Sequence, residues 1–267
     1  MIPVILIHLG NDDYLQYSIG KALERNEVIL IGNDNPNISN ENFSFQNISD
    51  YISDDYNLFI QNYKHLSTNS HNFELFCFLR WFILKEFMFR RNIEVSFYID
   101  SDVLLYVDVN DEYHKFSQYD FTLLHRTAAV SSFINKVGIE NFCNFLNRTY
   151  SMKNTYNFEK IESHYHIRQK YGLGGGVCDM TLLEFFHYYP DTGGGPGKVG
   201  EMMSIIDGST YDHNINSEDQ YFDFSGIKKV QMIEGIPYVM SKKLNKLIKF
   251  NSLHFNSGAK SLMRQYM

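Results

Sequence analysis

The chain has 267 residues, 44% hydrophobic and 16% aromatic, which suits a packed α/β protein and argues against disorder. Its net charge of −7 argues against a nucleic-acid binder held by phosphate contacts. Within that total, residues 228–267 carry +7 and the remainder −14. A basic patch on an acidic protein suits a phosphate-bearing ligand or an anionic membrane surface, or is a solvated lysine face.

Cys77, Cys143 and Cys178 show no C-x-x-C spacing, so a reducing compartment and a cytoplasmic location are expected. The opening Met-Ile-Pro-Val-Ile-Leu-Ile-His lacks the basic region of a signal peptide and reads as a first strand, Val4–His8. No apolar run reaches the ~20 residues that span a bilayer. Leu9–Asp13 reads as a turn, Tyr14–Glu24 as a helix and Glu27–Ile31 as a second strand. This β-α-β opening places a loop at the carboxyl end of strand one, where open α/β sheets bind ligands. The loop lacks the dinucleotide glycine fingerprint.

Residues 34–72, rich in Asn, Ser and Asp, read as loops and short helices. Glu74–Arg91 is apolar nearly throughout and reads as a buried helix. Arg80 has only Phe76, Cys77, Ile83 and Leu84 as helical neighbours, so its partner must come from another element or from a ligand.

Val95-Ser-Phe-Tyr-Ile99 reads as a buried strand and runs into Asp100-Ser101-Asp102, followed by the apolar run Val103–Val107. In extended or turn geometry residues i and i+2 point the same way. Two carboxylates converging there repel unless a cation lies between them, which suggests a hard divalent metal, Mn²⁺ or Mg²⁺. A strand-ending turn would use the same residues.

Asp120–Leu124 reads as a strand and Ala128–Leu146 as largely helical. Gly174-Gly175-Gly176 precede a helix over Asp179–Tyr188; three glycines permit close approach of a ligand or of another backbone. Gly195-x-Gly197-x-x-Gly200 formally matches a dinucleotide fingerprint, but no strand precedes it, and a mobile loop is expected. Asp219-Gln220 precedes an aromatic strand-like segment. His254 stands between Leu253 and Phe255, with Gly258 and Lys260 following. It reads either as a core histidine or as a metal ligand beside a bound phosphate.

Taken in order, Phe97-Tyr98-Ile99-Asp100-Ser101-Asp102-Val103-Leu104 and Leu253-His254-Phe255-x-x-Gly258-x-Lys260 resemble the GT-A nucleotide-sugar glycosyltransferases. The resemblance is greatest to the retaining family 8, which includes glycogenin and the bacterial lipopolysaccharide galactosyl- and glucosyltransferases. It implies a single GT-A domain over 1–267: a Rossmann-like mixed sheet flanked by helices, with a nucleotide-binding half (1–107) and an acceptor half (108–267). It further implies that Asp100, Asp102 and His254 hold Mn²⁺ or Mg²⁺ and that Lys260 and Gly258 contact the donor phosphates. His8, Gly10 and Tyr14 would cradle base and ribose, and Arg80 and Ser101 would complete the donor site. Gly174, Gly175, Gly176 and Asp179 would lie beneath sugar and acceptor, with Asp219 and Gln220 near the reacting carbon. The expected reaction moves a hexose, with retention, from a UDP-sugar to a saccharide or lipid-linked saccharide, with peripheral membrane contact through the basic C-terminal patch. A metal-dependent nucleotidyltransferase and a non-catalytic sugar- or nucleotide-binding module are the competing readings.

Overall fold

The computed structural model describes residues 1–151, 156–188 and 198–267. The N-terminal half alternates strand and helix: β1 (Val4–His8), α1 (Asp13–Leu23), β2 (Val28–Gly32), β3 (Phe43–Asn47), α2 (Asp54–Asn62), α3 (His71–Arg90), β4 (Val95–Ile99) and β5 (Val103–Leu105). After them come α4 (Val109–Glu112), β6 (Phe121–Leu123), β7 (Ser131–Asn135), α5 (Lys136–Ser151), α6 (Tyr156–Lys170) and α7 (Asp179–Tyr188). The remainder is mostly short strands: β8 (Val199–Glu201), β9 (Ser209–Thr210), β10 (Phe224–Ser225), β11 (Ile227–Lys228), β12 (Val230–Ile233), β13 (Ile236–Ser241), β14 (Lys246–Phe250) and β15 (Ser252–His254).

The architecture is mixed α/β. A seven-stranded sheet runs in the order β3-β2-β1-β4-β7-β6-β8. β1 to β4 are mutually parallel, and β7 enters antiparallel between β4 and β6. The central strands VILIH and VILIG are buried on both faces, which is why they read as continuous apolar runs. Alternate residues feed two cores. Ile5, Ile7, Ile31 and Tyr98 pack with Trp81, Phe82 and Phe142 from α3 and α5. Val4, Leu6, Leu30, Phe97 and Ile99 pack with Leu15 and Ile19 from α1. The helices therefore cover both faces of the sheet.

Ser70 caps α3 by accepting from the Phe73 amide at 3.4 Å, and the helix buries Phe78, Trp81, Phe82, Ile83 and Leu84. The expectation of helix from Ala128 is corrected: residues 131–135 form β7, paired residue by residue with β4, and the helix begins at Lys136. β3, within the stretch read as loops and short helices, is a strand at the edge of the sheet. Cys77 and Cys178 are half-buried. Residues 193–197 of the glycine-rich motif lie outside the described residues, and Gly200 sits in β8.

The C-terminal third adds a four-stranded sheet, β12-β13-β14-β9, and then returns to the main body. β15 pairs antiparallel with β5, placing His254 opposite Val103. No helix among the described residues is long and apolar enough to cross a membrane.

Candidate metal and donor site

β4 ends at Ile99, and a turn closed by the Val103 amide donating to the Asp100 carbonyl at 3.1 Å carries Asp100, Ser101 and Asp102. The pairing of β15 with β5 brings the C-terminal segment alongside, and the Phe255 amide donates to the Asp102 carbonyl at 2.9 Å. One ligand atom each from Asp100, Asp102 and His254 then lie within 4.8 Å of one another. That is about the span of ligands across a divalent cation.

His254 Nε2 lies 3.3 Å from Asp102 Oδ1, and Lys260 Nζ 3.2 Å from Asp102 Oδ2. The other imidazole nitrogen, Nδ1, donates to the His213 carbonyl at 2.5 Å, which fixes the tautomer and aims Nε2 at the carboxylates. The buried carboxylate of Asp212 accepts from the His254 amide at 3.1 Å and pairs with the buried Lys228 at 3.0 Å. Two carboxylates and an oriented imidazole could hold a divalent metal ion.

Burial works against every charge here. It lowers the His254 pKa, but the hydrogen bond and charge of Asp102 and the His213 carbonyl overcome it and push the imidazole up to about 9. Burial likewise opposes ionisation of Asp102, yet His254 and Lys260 hold its carboxyl below the usual range. At Asp100 the balance differs: burial and the neighbouring Asp102 charge raise its pKa despite Arg80 and Tyr98. A cation between the two acids would reverse that balance.

Arg80 finds its partners on other elements. It donates to Asp100 Oδ1 at 2.7 Å, to Asp179 Oδ2 at 2.6 Å and to the Tyr98 hydroxyl at 3.0 Å. Asp179 is buried at the start of α7 and also accepts from Trp81 Nε1 at 3.0 Å. Arg80 is thereby a strut between Asp100 and α7.

The loop after β1 reaches the same group. His8 Nε2 and the Tyr14 hydroxyl each lie 3.1 Å from Asp12 Oδ2, and Lys260 Nζ sits 4.3 Å from the Tyr14 ring centroid. The Gly10 amide donates to Asn33 Oδ1 at 2.7 Å, joining the loops after β1 and β2, and its φ of +92° is one that glycine adopts readily. Gly258 opens the 3₁₀ segment Ser257–Tyr266, with nothing within 4 Å of the space a Cβ would fill. Ser101 is half-buried in the turn between the two acids.

Of the three glycines, Gly176 packs against backbone. A Cβ on Gly176 would lie 2.2 Å from the Leu66 carbonyl oxygen, and the Val177 amide donates to that oxygen at 2.7 Å. Gly175 exchanges hydrogen bonds with Thr68, its amide donating to Oγ1 at 2.8 Å. Gly174 is less crowded. Asp219 accepts from the Tyr221 amide at 2.7 Å within its own turn, and Gln220 is exposed. Sequence reasoning missed Asp212, His213 and Lys228; nothing in their spacing marks them, because the Asp212–Lys228 pair forms only when the C-terminal strands assemble.

No family model matches the sequence, and no curated protein matches it. Among solved structures, the fold is similar to a glycosyltransferase involved in the glycosylation of the major capsid of PBCV-1, at 11% identity and a TM-score of 0.45, covering 99% of this chain and 98% of that one. It is similar to an active-site mutant of LgtC at 10% identity and a TM-score of 0.46, over 99% and 95% of the two chains. It is also similar to mouse xyloside xylosyltransferase 1 in its apo form, at 10% identity and a TM-score of 0.39, over 70% and 82%.

Proposed function

We propose that the chain is a metal-dependent glycosyltransferase of GT-A type that moves a hexose from a UDP-sugar to a saccharide or lipid-linked saccharide with retention. The observation that carries this is the meeting of Asp100, Asp102 and His254, with Lys260 3.2 Å from Asp102 and 4.3 Å from the ring of Tyr14 in the first turn of α1. A core histidine would need one partner for each ring nitrogen, whereas here Nε2 meets a pair of carboxylates that a single hydrogen bond does not require.

In this reading Asp100, Asp102 and His254 hold Mn²⁺ or Mg²⁺, which when bound supplies positive charge to the donor diphosphate. Lys260 and the Gly258 amide bind the phosphates and oppose the negative charge that grows as the anomeric C–O bond breaks. His8, Gly10 and Tyr14 cradle base and ribose. Arg80 and Ser101 complete the donor site, Arg80 chiefly by holding Asp100. Gly174–Gly176 and Asp179 form the floor on the acceptor side, and Asp219 and Gln220 are assigned to the reacting carbon. The halves 1–107 and 108–267 supply donor and acceptor surfaces, and the basic C-terminal patch provides peripheral membrane contact in the cytoplasm.

Calorimetry with UDP, with and without Mn²⁺, tests the reading. UDP should bind only when Mn²⁺ is present, and a donor screen should show nucleoside diphosphate release. Asp102→Asn should abolish both while far-UV circular dichroism stays native. Metal-independent UDP binding, or full transfer by that variant, sinks the proposal.

A further inference from the structure

The chain's excess positive charge gathers on one small sheet. Residues 228–267 carry eight basic side chains: Lys228, Lys229, Lys242, Lys243, Lys246, Lys249, Lys260 and Arg264. Lys228 is buried against Asp212, and Lys260 lies against Asp102. Of the other six, only Arg264 belongs to the terminal segment Ser257–Tyr266. The remaining five frame the hairpins of β12, β13 and β14. Lys246 and Lys249 stand in β14, Lys242 and Lys243 in the turn before it, and Lys229 just ahead of β12. Among the described residues none of these five pairs with a carboxylate. Glu234 is the single acid in residues 228–267.

The same sheet is apolar on both faces. On one, Val230, Met232, Val239, Ile248 and Phe250 pack around Leu253 and Phe255, the residues that flank His254. Directly paired residues share a face, so the other face carries Ile233 opposite Ile236, Tyr238 opposite Lys249, and Met240 opposite Leu247. Among the described residues these five apolar side chains pack into no hydrophobic core. Ile233 is 43% exposed, and Leu244, in the turn after Lys243, is 45% exposed. A soluble polyanion would engage the lysines and leave the apolar side chains in water. An uncharged apolar partner would cover those side chains and leave five ammonium groups without counter-charge. An anionic lipid surface answers both. Its phosphates take the ammonium groups, its acyl boundary takes the apolar side chains, and lysine stems and tyrosine rings bridge the two depths.

We propose that the outer face of β12–β14, and not the terminal segment, docks on an anionic lipid surface. This deepens the membrane contact proposed above and rests on it. Because the inner face of the sheet packs around Leu253 and Phe255, docking holds the metal group one packed layer from the lipid.

Flotation of the full chain with phosphatidylcholine vesicles, with and without phosphatidylglycerol, tests it. Binding should require phosphatidylglycerol and weaken as salt is raised. The double variant Lys243→Gln/Lys246→Gln should weaken it roughly 30-fold, since each lysine at such a surface is worth about a factor of five. Leu244→Ser, at an exposed turn position, should weaken it about tenfold or more. Arg264→Gln should leave it unchanged, and calorimetry should show UDP binding with Mn²⁺ at the parent level in every variant. Absence of vesicle binding, equal binding to both vesicles, or loss confined to Arg264→Gln overturns the proposal. So does a parent dimer that Ile233→Ser breaks and that ignores vesicles, because a second copy would then cover the face. Vesicle binding without metal-linked UDP binding would instead refute the transferase reading and leave the docking face standing.

Discussion

His254 makes a contact whose strength depends on its charge, 3.3 Å from Asp102. Its imidazole is pushed up to about 9 from an ordinary 6.5, with Asp102 the main source of the rise against burial. A group whose folded pKa is raised stabilises the fold fully below its unfolded pKa and loses that contribution as pH climbs through the folded one. Asp102, held low, contributes above the ordinary carboxyl value of 3.8. The pair is therefore fully formed between about pH 4 and 6.5, and the His254 contribution, on the order of 3 kcal/mol, fades towards pH 9. A divalent cation reverses the trend, because it takes the deprotonated imidazole and displaces its proton. Thermal unfolding from pH 6.5 to 9.5 should show the metal-free protein losing stability while the gain from added Mn²⁺ grows. A metal-free midpoint constant over that range, with a constant gain from Mn²⁺, would contradict this account.

Among the elements, those legible in the sequence were the ones whose burial leaves a local trace. β1, β2 and β4 are buried on both faces and read as apolar runs, and α3 is too long and apolar to be a strand. β7 was misread because Ser131-Ser132-Phe133-Ile134 abuts a true helix; its strand state is imposed by β4, with Phe97 opposite Phe133. β3 carries Ser44, Gln46 and Asn47 and, as an edge strand, keeps no buried position. At the site, the paired acids and the terminal histidine announced themselves by residue type and order. The support beneath His254 did not, since Asp212 and Lys228 are ordinary charges until folding buries them. That support is testable. Lys228→Met should leave the Asp212 carboxylate buried and uncompensated, costing about 3–5 kcal/mol. Adding Asp212→Asn should recover much of the loss in urea unfolding. A single variant as stable as the parent would show the pair to be structurally idle.

Across the whole molecule, the chain's last residues close the site and one of its cores together. β15 is the element that docks His254 against β5, and the same segment supplies Leu253, Phe255 and Met263, all fully buried, to a third core with Leu104, Tyr106, Ile248 and Phe250. Burying a large apolar side chain contributes roughly 1.5–3 kcal/mol, so these three together are comparable to the net stability of a typical protein, about 5–15 kcal/mol. Metal binding and folding are thus coupled through one stretch of backbone but separable by mutation. A chain ended at Asn251 should lose Mn²⁺-dependent UDP binding and also its cooperative urea transition, because β5 is left unpaired and Leu104 uncovered. His254→Asn in the full-length chain should lose only the metal-linked binding and keep a cooperative transition. Were the shortened chain to unfold at the same urea concentration as the parent, the C-terminal segment would be a ligand-bearing tail rather than part of the core.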